Sequence, residues 1–127
     1  MTSEEQRNLE TAKRYEELYN TDIERFVCEC YAPDYEAFPM GNGSFRGLDK
    51  FVEVEKRILR AAPKRKMRVD QFHAAGNVVT VEAVLLDPDQ GPDWSLPFCA
   101  VLVFRDGKIL IDRTYADFRR WPGLSVA

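Results

Sequence analysis

The stretch KMRVDQFHAAGNVVTVEAVLLDPDQGPDWSLPFCAVLVFRDGKILIDRTYADF, residues 66–118, determines the fold class. Its alternating and β-branched residues predict four strands, at residues 66–74, 77–86, 94–104 and 109–118. Tight hairpin turns are predicted at residues 75–77 and 105–108, and a longer loop at residues 87–93. Strands joined in this way form an antiparallel meander.

The residues before this meander have a helical period instead. Residues 3–6 and 21–24 read as capping boxes that open two amphipathic helices, the first ending at Asn20 and the second stopped by Pro33. A short extended run follows at residues 35–38, and a third helix begins after Gly47 and ends before Pro63. Helices followed by such a sheet predict a single α+β domain over residues 1–127, with the curved antiparallel sheet wrapped around the N-terminal helices.

Composition and charge argue against several classes of protein. The 127 residues carry a net charge of −3, with both signs interspersed, so we expect no nucleic-acid partner. The short basic cluster at residues 64–68 is interpreted as the solvated entrance to a strand. No stretch approaches the ~20 apolar residues of a membrane span, and the N-terminus is unlike a signal peptide. The three cysteines lack the spacing of zinc ligands, so we expect reduced thiols, no metal and a cytoplasmic location.

Two groups of residues are similar to a known superfamily. The sequence RYEEL at 14–18, then DIE at 22–24, Val27 and YAPD at 31–34, resembles the opening of bacterial ketosteroid isomerases. VFRDGKI at 103–109, followed by Arg113-x-Tyr115-x-Asp117, is typical of the wider nuclear transport factor 2-like group, which includes the SnoaL-like polyketide cyclases. The resemblance implies a cone-shaped, cystatin-like fold with a pocket opening at one end.

The resemblance also implies roles for single residues. Tyr15 falls at the tyrosine that donates to the substrate oxyanion in the isomerases, Tyr31 at a supporting tyrosine of that network, and Glu55 at a third networked tyrosine. Two carboxyl groups of the isomerases are missing, since Phe38 stands at the catalytic base and Ala100 at the second oxyanion donor. Steroid isomerase activity itself is therefore not expected.

Glu55 is the most informative residue, because it interrupts the apolar stripe of the third predicted helix. A carboxyl buried there would have a raised pKa that suits acid–base chemistry. In the alternative interpretation a slight rotation places Val54 on the stripe and Glu55 in solvent. Glu36 lies two residues before Phe38 and so on the same strand face, which makes it either a displaced base or a carboxylate at the rim.

Strand alternation predicts an apolar lining for the pocket. Ala83 and Ala100 are small where a filled core would more often have Leu or Ile, which favours open space. Asp112, Thr114 and Ala116 alternate on the last strand and are expected to face the same space. The predicted catalytic residues are Tyr15, Glu55, Tyr31 and Glu36. The predicted substrate-binding residues are Tyr19, Phe38, Met40, Phe51, Val81, Ala83, Phe98, Ala100, Leu102, Asp112, Thr114 and Ala116.

Two main functions follow from this pattern, and the sequence leaves both open, besides a third possibility, a scaffold for homodimerisation or partner binding through the convex face of the sheet. The first is a cofactor-free isomerase, cyclase, dehydratase or hydrolase that acts on a small apolar or polycyclic ligand. In it Glu55 or Glu36 is the acid–base group and Tyr15 the oxyanion donor. The second is a non-catalytic module that binds such a ligand. A homodimer through the outer face of the sheet is expected in either case.

Overall fold

Three helices and one six-stranded sheet make up the computed structural model, which describes all 127 residues. The helices are α1 (Ser3–Thr21), α2 (Ile23–Cys30) and α3 (Leu48–Ala61). The strands are β1 (Tyr31–Pro39), β2 (Phe45–Arg46), β3 (Lys66–Ala75), β4 (Val78–Leu86), β5 (Ser95–Arg105) and β6 (Lys108–Ala116). Short 3₁₀ turns follow β4 at Pro88–Gln90 and β6 at Phe118–Arg120. No helix combines the length and the apolar character that crossing a membrane requires.

The sheet has the strand order β2-β1-β6-β5-β4-β3. Strands β3 to β6 form the predicted antiparallel meander, with turns where the sequence places them. Strand β1 differs from the expectation because it runs parallel to β6, pairing Ala37 with Asp112 and Pro39 with Thr114, so the sheet is mixed. Register shifts interrupt the β1–β6, β3–β4 and β5–β6 pairs, and such bulges increase the bend of a sheet.

Predicted helix boundaries shift at α1 and at both ends of α2, whose N-cap is Asp22 and not Thr21. The capping box of α1 lies one residue earlier than predicted, since Thr2 Oγ1 accepts from the Glu5 amide at 3.1 Å and the Glu5 carboxylate accepts from the Thr2 amide at 2.8 Å. Helix α2 ends at Cys30, before Pro33, because Tyr31 already pairs with Ile109 of β6. Tyr31 is therefore a strand residue that pairs with β6.

An aromatic cluster joins the helices to β1 and β2. Phe51 of α3 lies at its centre, with its ring centroid 4.6 Å from that of Tyr31, 5.1 Å from Phe45, 5.2 Å from Tyr35 and 5.7 Å from Phe26. Tilted and edge-on packing at these distances is favourable beyond the area that it buries. The cluster fixes α3 against the sheet and thereby fixes the side chains that α3 directs inward.

Candidate functional site

A cavity of about 60 Å³ lies between α1, α3 and the sheet. Most of its lining is apolar, and the lining residues that remain partly exposed mark its mouth: Phe38, Thr114, Phe118, Trp121 and Leu124. The deeper lining residues are Tyr15, Tyr19, Phe26, Tyr31, Ala37, Pro39, Phe45, Phe51, Val54, Glu55, Ile58, Met67, Phe98 and Asp112.

The structure brings many of the predicted site residues to this cavity: Tyr15, Tyr19, Tyr31, Phe38, Phe51, Glu55, Phe98, Asp112 and Thr114. The other predicted residues lie elsewhere: Glu36, Met40, Val81, Ala83, Ala100, Leu102 and Ala116. Met40 is exposed beyond the end of β1, and Ala116 is half-buried at the end of β6.

The small side chains of β4 and β5 have a structural explanation that the sequence analysis missed. Val81, Ala100 and Leu102 have no exposed surface, and Ala83 is buried with them in the core. Helix α1 packs across β3 and β4. The alanines therefore belong to a filled core, and the expectation that they line open space is wrong.

Glu36 lies outside the cavity. Its carboxylate accepts hydrogen bonds from Ser44 Oγ at 3.1 Å and from Arg46 at 2.9 Å, and the Arg46 guanidinium lowers the pKa of Glu36. Tyr35 and Ala37 are buried, as Tyr31 is, and Glu36 between them faces outward by strand alternation. Its expected role as a displaced base is corrected to that of an ion-pair partner at the sheet edge.

Glu55 is buried, with 7% of its surface exposed, although Val54 is buried as well. The arrangement in which Glu55 reaches solvent is therefore not the one adopted. Its Oε2 atom is fully enclosed and has no hydrogen-bond partner. Burial is the largest cause that raises the pKa of Glu55, to about 7, with Arg65 lowering it and Asp112 raising it further.

Asp112 anchors a second polar group at the cavity. Its Oδ2 accepts a hydrogen bond from the Tyr31 hydroxyl at 2.6 Å, and its Oδ1 accepts one from Thr114 Oγ1 at 2.7 Å. Burial raises the pKa of Asp112, while these two hydrogen bonds lower it. Tyr31 thus donates to Asp112 and supports that carboxyl group. The sequence pattern placed Asp112 in the cavity but gave no sign of this pairing.

Tyr15 and Tyr19 lie one turn apart on α1, and both side chains are buried against the cavity. Burial raises the pKa of the Tyr15 phenol well above its ordinary value, and that of Tyr19 likewise. Both phenols are therefore protonated at neutral pH and can act as hydrogen-bond donors. The Tyr19 hydroxyl has no partner within the protein.

Trp121 packs at the mouth of the cavity. Its ring centroid lies 5.2 Å from that of Phe98 and 5.6 Å from that of Phe118, and its buried indole N–H has no partner. Three lining residues thus carry an unpaired buried polar atom: Tyr19, Glu55 and Trp121. Native interiors leave few such atoms unpaired, so these groups are available to water or to a ligand.

The C-terminal segment after β6, which carries the mouth residues Phe118, Trp121 and Leu124, packs against α3 at Gly123. A Cβ atom at Gly123 would lie 2.7 Å from the Arg57 carbonyl oxygen and 2.8 Å from Ala61 Cβ, at a φ of +69°. Gly123→Ala is therefore expected to lower the free energy of unfolding by about 2–3 kcal/mol, from left-handed strain and the clash together. Urea unfolding followed by tryptophan fluorescence measures this loss.

Gly76→Ala is the matched control for that change. Gly76 also has a positive φ, +59°, but a Cβ atom there meets no other atom within 4 Å. Gly76→Ala should therefore lower the free energy of unfolding by only about 1–2 kcal/mol, from backbone strain alone. Equal losses in the two variants would contradict tight seating of the C-terminal segment on α3.

Known proteins share both sequence features and the fold of this chain. A family model described as the SnoaL-like domain matches residues 12–110. A candidate SnoaL-like polyketide cyclase from Jannaschia sp. CCS1 is 18% identical, with 94% of this chain and 91% of that chain aligned at a TM-score of 0.82. IdmH, a candidate polyketide cyclase from Streptomyces antibioticus, is also 18% identical, with 90% and 94% aligned at a TM-score of 0.73.

An LEH-like epoxide hydrolase from M. tuberculosis shares the fold too, at 17% identity and a TM-score of 0.70, with 91% of this chain and 86% of that chain aligned. A search of curated protein sequences finds no match. The solved relatives differ in the reactions their names give, so at these identities they show the fold alone. They confirm the predicted α+β fold, and because the family model spans most of the sequence, the chain belongs to the SnoaL-like domain family.

Proposed function

We propose that the protein is a cofactor-independent enzyme that transfers a proton on a small, uncharged carbonyl compound, with Glu55 as the acid–base group. The observation that carries this proposal is the buried Glu55 carboxyl, which lines an apolar cavity with an unpaired oxygen and has a pKa of about 7. A general base works best when its pKa lies near the operating pH.

The neighbouring phenols complete the proposed chemistry. The Glu55 carboxylate would take a proton from the carbon next to the carbonyl group, and the electron pair of that C–H bond would move onto the carbonyl oxygen as an enolate. Tyr15, protonated and buried in the same lining, would donate a hydrogen bond to this oxygen. In a β,γ-unsaturated ketone the enolate extends over the C=C bond, so Glu55 would return the proton at the γ carbon, which is an isomerisation. Alternatively, the enolate carbon would attack a second carbonyl of the same molecule, and the oxygen of that carbonyl would take the proton back from Glu55, which is a cyclisation.

The charge of the lining favours an uncharged ligand. Glu55 and Asp112 are its ionisable carboxyl groups, and no Lys, Arg or His side chain belongs to the lining. A carboxylate or phosphate group on the ligand would find no countercharge there.

The size of the cavity sets how a ligand enters. Ligand sites commonly measure ~300–1,000 Å³, whereas this cavity measures about 60 Å³. Phe118, Trp121 and Leu124 of the C-terminal segment form one side of the mouth. A ring-sized ligand therefore enters by displacing these side chains outward.

Deuterium exchange tests the proposal without knowledge of the natural substrate. Cyclic ketones of increasing size, from 2-cyclohexenone to 1-tetralone, are incubated with the protein in D₂O, and the protons next to the carbonyl group are followed by ¹H NMR. Exchange well above the buffer rate is expected for at least one ring size. Ketones that bind, as seen by saturation transfer, but exchange at the buffer rate would contradict catalysis.

That second outcome would support a non-catalytic binding module instead. The specific observation that favours this alternative is Phe38, which lies at the mouth where the isomerases have their base. The apolar lining would hold a ligand equally well in both cases.

We also propose a homodimer through the outer face of the sheet. Tyr115 of β6 lies on this face with 47% of its surface exposed, beside Cys99 and Val84, and exposed apolar groups on a sheet favour self-association. Light scattering coupled to size exclusion should give twice the mass of the chain, and Tyr115→Glu should give the mass of one chain. A wild-type mass of one chain would contradict the proposal.

A cytoplasmic location is proposed from the cysteines. Cys28 is exposed, Cys30 buried and Cys99 half-buried, and none of the three forms a disulfide. Free thiols persist in a reducing compartment, which supports this location.

A further inference from the structure

Arg65 is a buried cation in the loop between α3 and β3. Only 4% of its surface is exposed, and its Nε atom has no hydrogen-bond partner. Its Nη2 atom donates to the Tyr19 carbonyl oxygen at 3.2 Å, and its Cζ lies 4.2 Å from the centre of the Tyr19 ring. No carboxylate lies within ion-pairing distance of it. A buried charge without a bonded counterion is costly, so it needs compensation from its surroundings.

Tyr19 connects this cation with the cavity. The Tyr19 ring has Arg65 over its face, and its side chain lines the cavity together with Glu55. The charged groups that act on Glu55 are Arg65 and Asp112 of β6, and Glu55 in turn raises the pKa of the Tyr15 and Tyr19 phenols on α1. Arg65 is the positive charge among them.

We propose that Arg65 is a positioning residue for this site: it holds the Tyr19 ring in place and supplies the positive charge that balances Glu55 when Glu55 gives up its proton. The inference rests on the proposed function, in which Glu55 must alternate between its protonated and ionised forms. Arg65 packs on Tyr19, which lines the same cavity as Glu55, and the attraction between the two charges acts in an interior where charges are weakly screened. Arg65 itself touches no substrate.

The pKa of Glu55, measured through its side-chain carboxyl ¹³C resonance, tests this role. Arg65→Met is expected to raise the pKa of Glu55 by on the order of one pH unit, since an opposite charge nearby favours ionisation. Arg65→Lys keeps the positive charge, so the pKa of Glu55 should stay close to its value in the wild-type protein. Lys64→Met is the matched control, because Lys64 also carries one positive charge but its side chain is 68% exposed, with Asp89 3.4 Å away. An unchanged pKa of Glu55 in Arg65→Met would overturn the proposal.

A second measurement uses the wild-type protein and covers the case in which Arg65→Met fails to fold. The ¹⁵N resonance of Arg65 Nε should change with pH at the same midpoint as the Glu55 carboxyl group. This step should vanish in Glu55→Gln. An Arg65 Nε chemical shift that does not change over the pH range in which Glu55 titrates would overturn the proposal.

The two proposals fail separately. A pKa of Glu55 that moves in Arg65→Met, in a protein that exchanges no ketone proton, supports the role of Arg65 in the electrostatics of the site and rejects catalysis. Exchange that depends on Glu55, with a pKa that does not respond to Arg65, rejects the role of Arg65 and retains catalysis.

Discussion

Glu55→Gln is expected to slow the deuterium exchange of a bound ketone by about 100- to 10,000-fold, the usual contribution of a positioned acid–base group. The amide has nearly the shape of the carboxyl group, so the apolar lining and the ligand affinity should be preserved. It cannot accept the proton, however, and the C–H bond of the ketone then lacks a base. The rate is measured by ¹H NMR with the ring size that the wild-type protein exchanges fastest.

Glu53→Gln provides the control on the same helix. Glu53 is half-exposed and pairs with Arg57 at 2.6 Å, away from the cavity. Its replacement removes the same charge and should leave the exchange rate unchanged. Exchange in Glu55→Gln at the wild-type rate would show that the reacting base, if there is one, is a different group.

The stability of the protein should depend on pH through the same carboxyl group. The pKa of Glu55 is about 7 in the folded protein, against an ordinary value of 4.5. The folded state therefore binds this proton more tightly than the unfolded chain does. Below about pH 4 both states are protonated, and the stabilisation is fully present; it is lost as the pH rises to about 7, where the folded state ionises too. At 1.36 kcal/mol per pKa unit, the loss is ~3 kcal/mol in the free energy of unfolding.

Glu55→Gln should lack this pH-dependent loss. The free energy of unfolding of the variant minus that of the wild type should therefore be larger at pH 8 than at pH 5. Urea unfolding of both proteins at the two pH values measures it. The difference between the proteins removes contributions that they share, such as that of Asp112, whose pKa is also raised by burial. The same pH dependence in both proteins would contradict a perturbed Glu55. A gain in stability from losing the carboxyl group would fit a residue kept for function.

The sequence predicted the fold because its local periods are unambiguous. Alternating and β-branched residues over residues 66–118, with turn residues between the runs, predict a meander. The parallel pairing of β1 with β6 has no local signal, since it joins residues about 75 positions apart in the chain. That pairing makes Tyr31 the first residue of β1, and alternation with the buried Tyr35 and Ala37 then turns Glu36 outward.

Part of the candidate site was predictable because it disturbs a local sequence period. Glu55 disturbs an apolar stripe, and a carboxyl group there is visible in the sequence. The position of α1 over β4 is a tertiary feature, so the alanines of the sheet were misread as open space. The short basic cluster was taken for a solvated entrance, which holds for Lys64 and Lys66, but strand-like alternation buries Arg65 between them.

The central claim is that Glu55 is a buried carboxyl group poised to exchange a proton near neutral pH. Its most direct test is the ¹³C NMR titration of the Glu55 carboxyl group in the wild-type protein, assigned by comparison with Glu55→Gln. The structure predicts a midpoint of about 7. A midpoint near the ordinary value of 4.5 would contradict the claim, because a carboxyl group that titrates there is solvated or already paired.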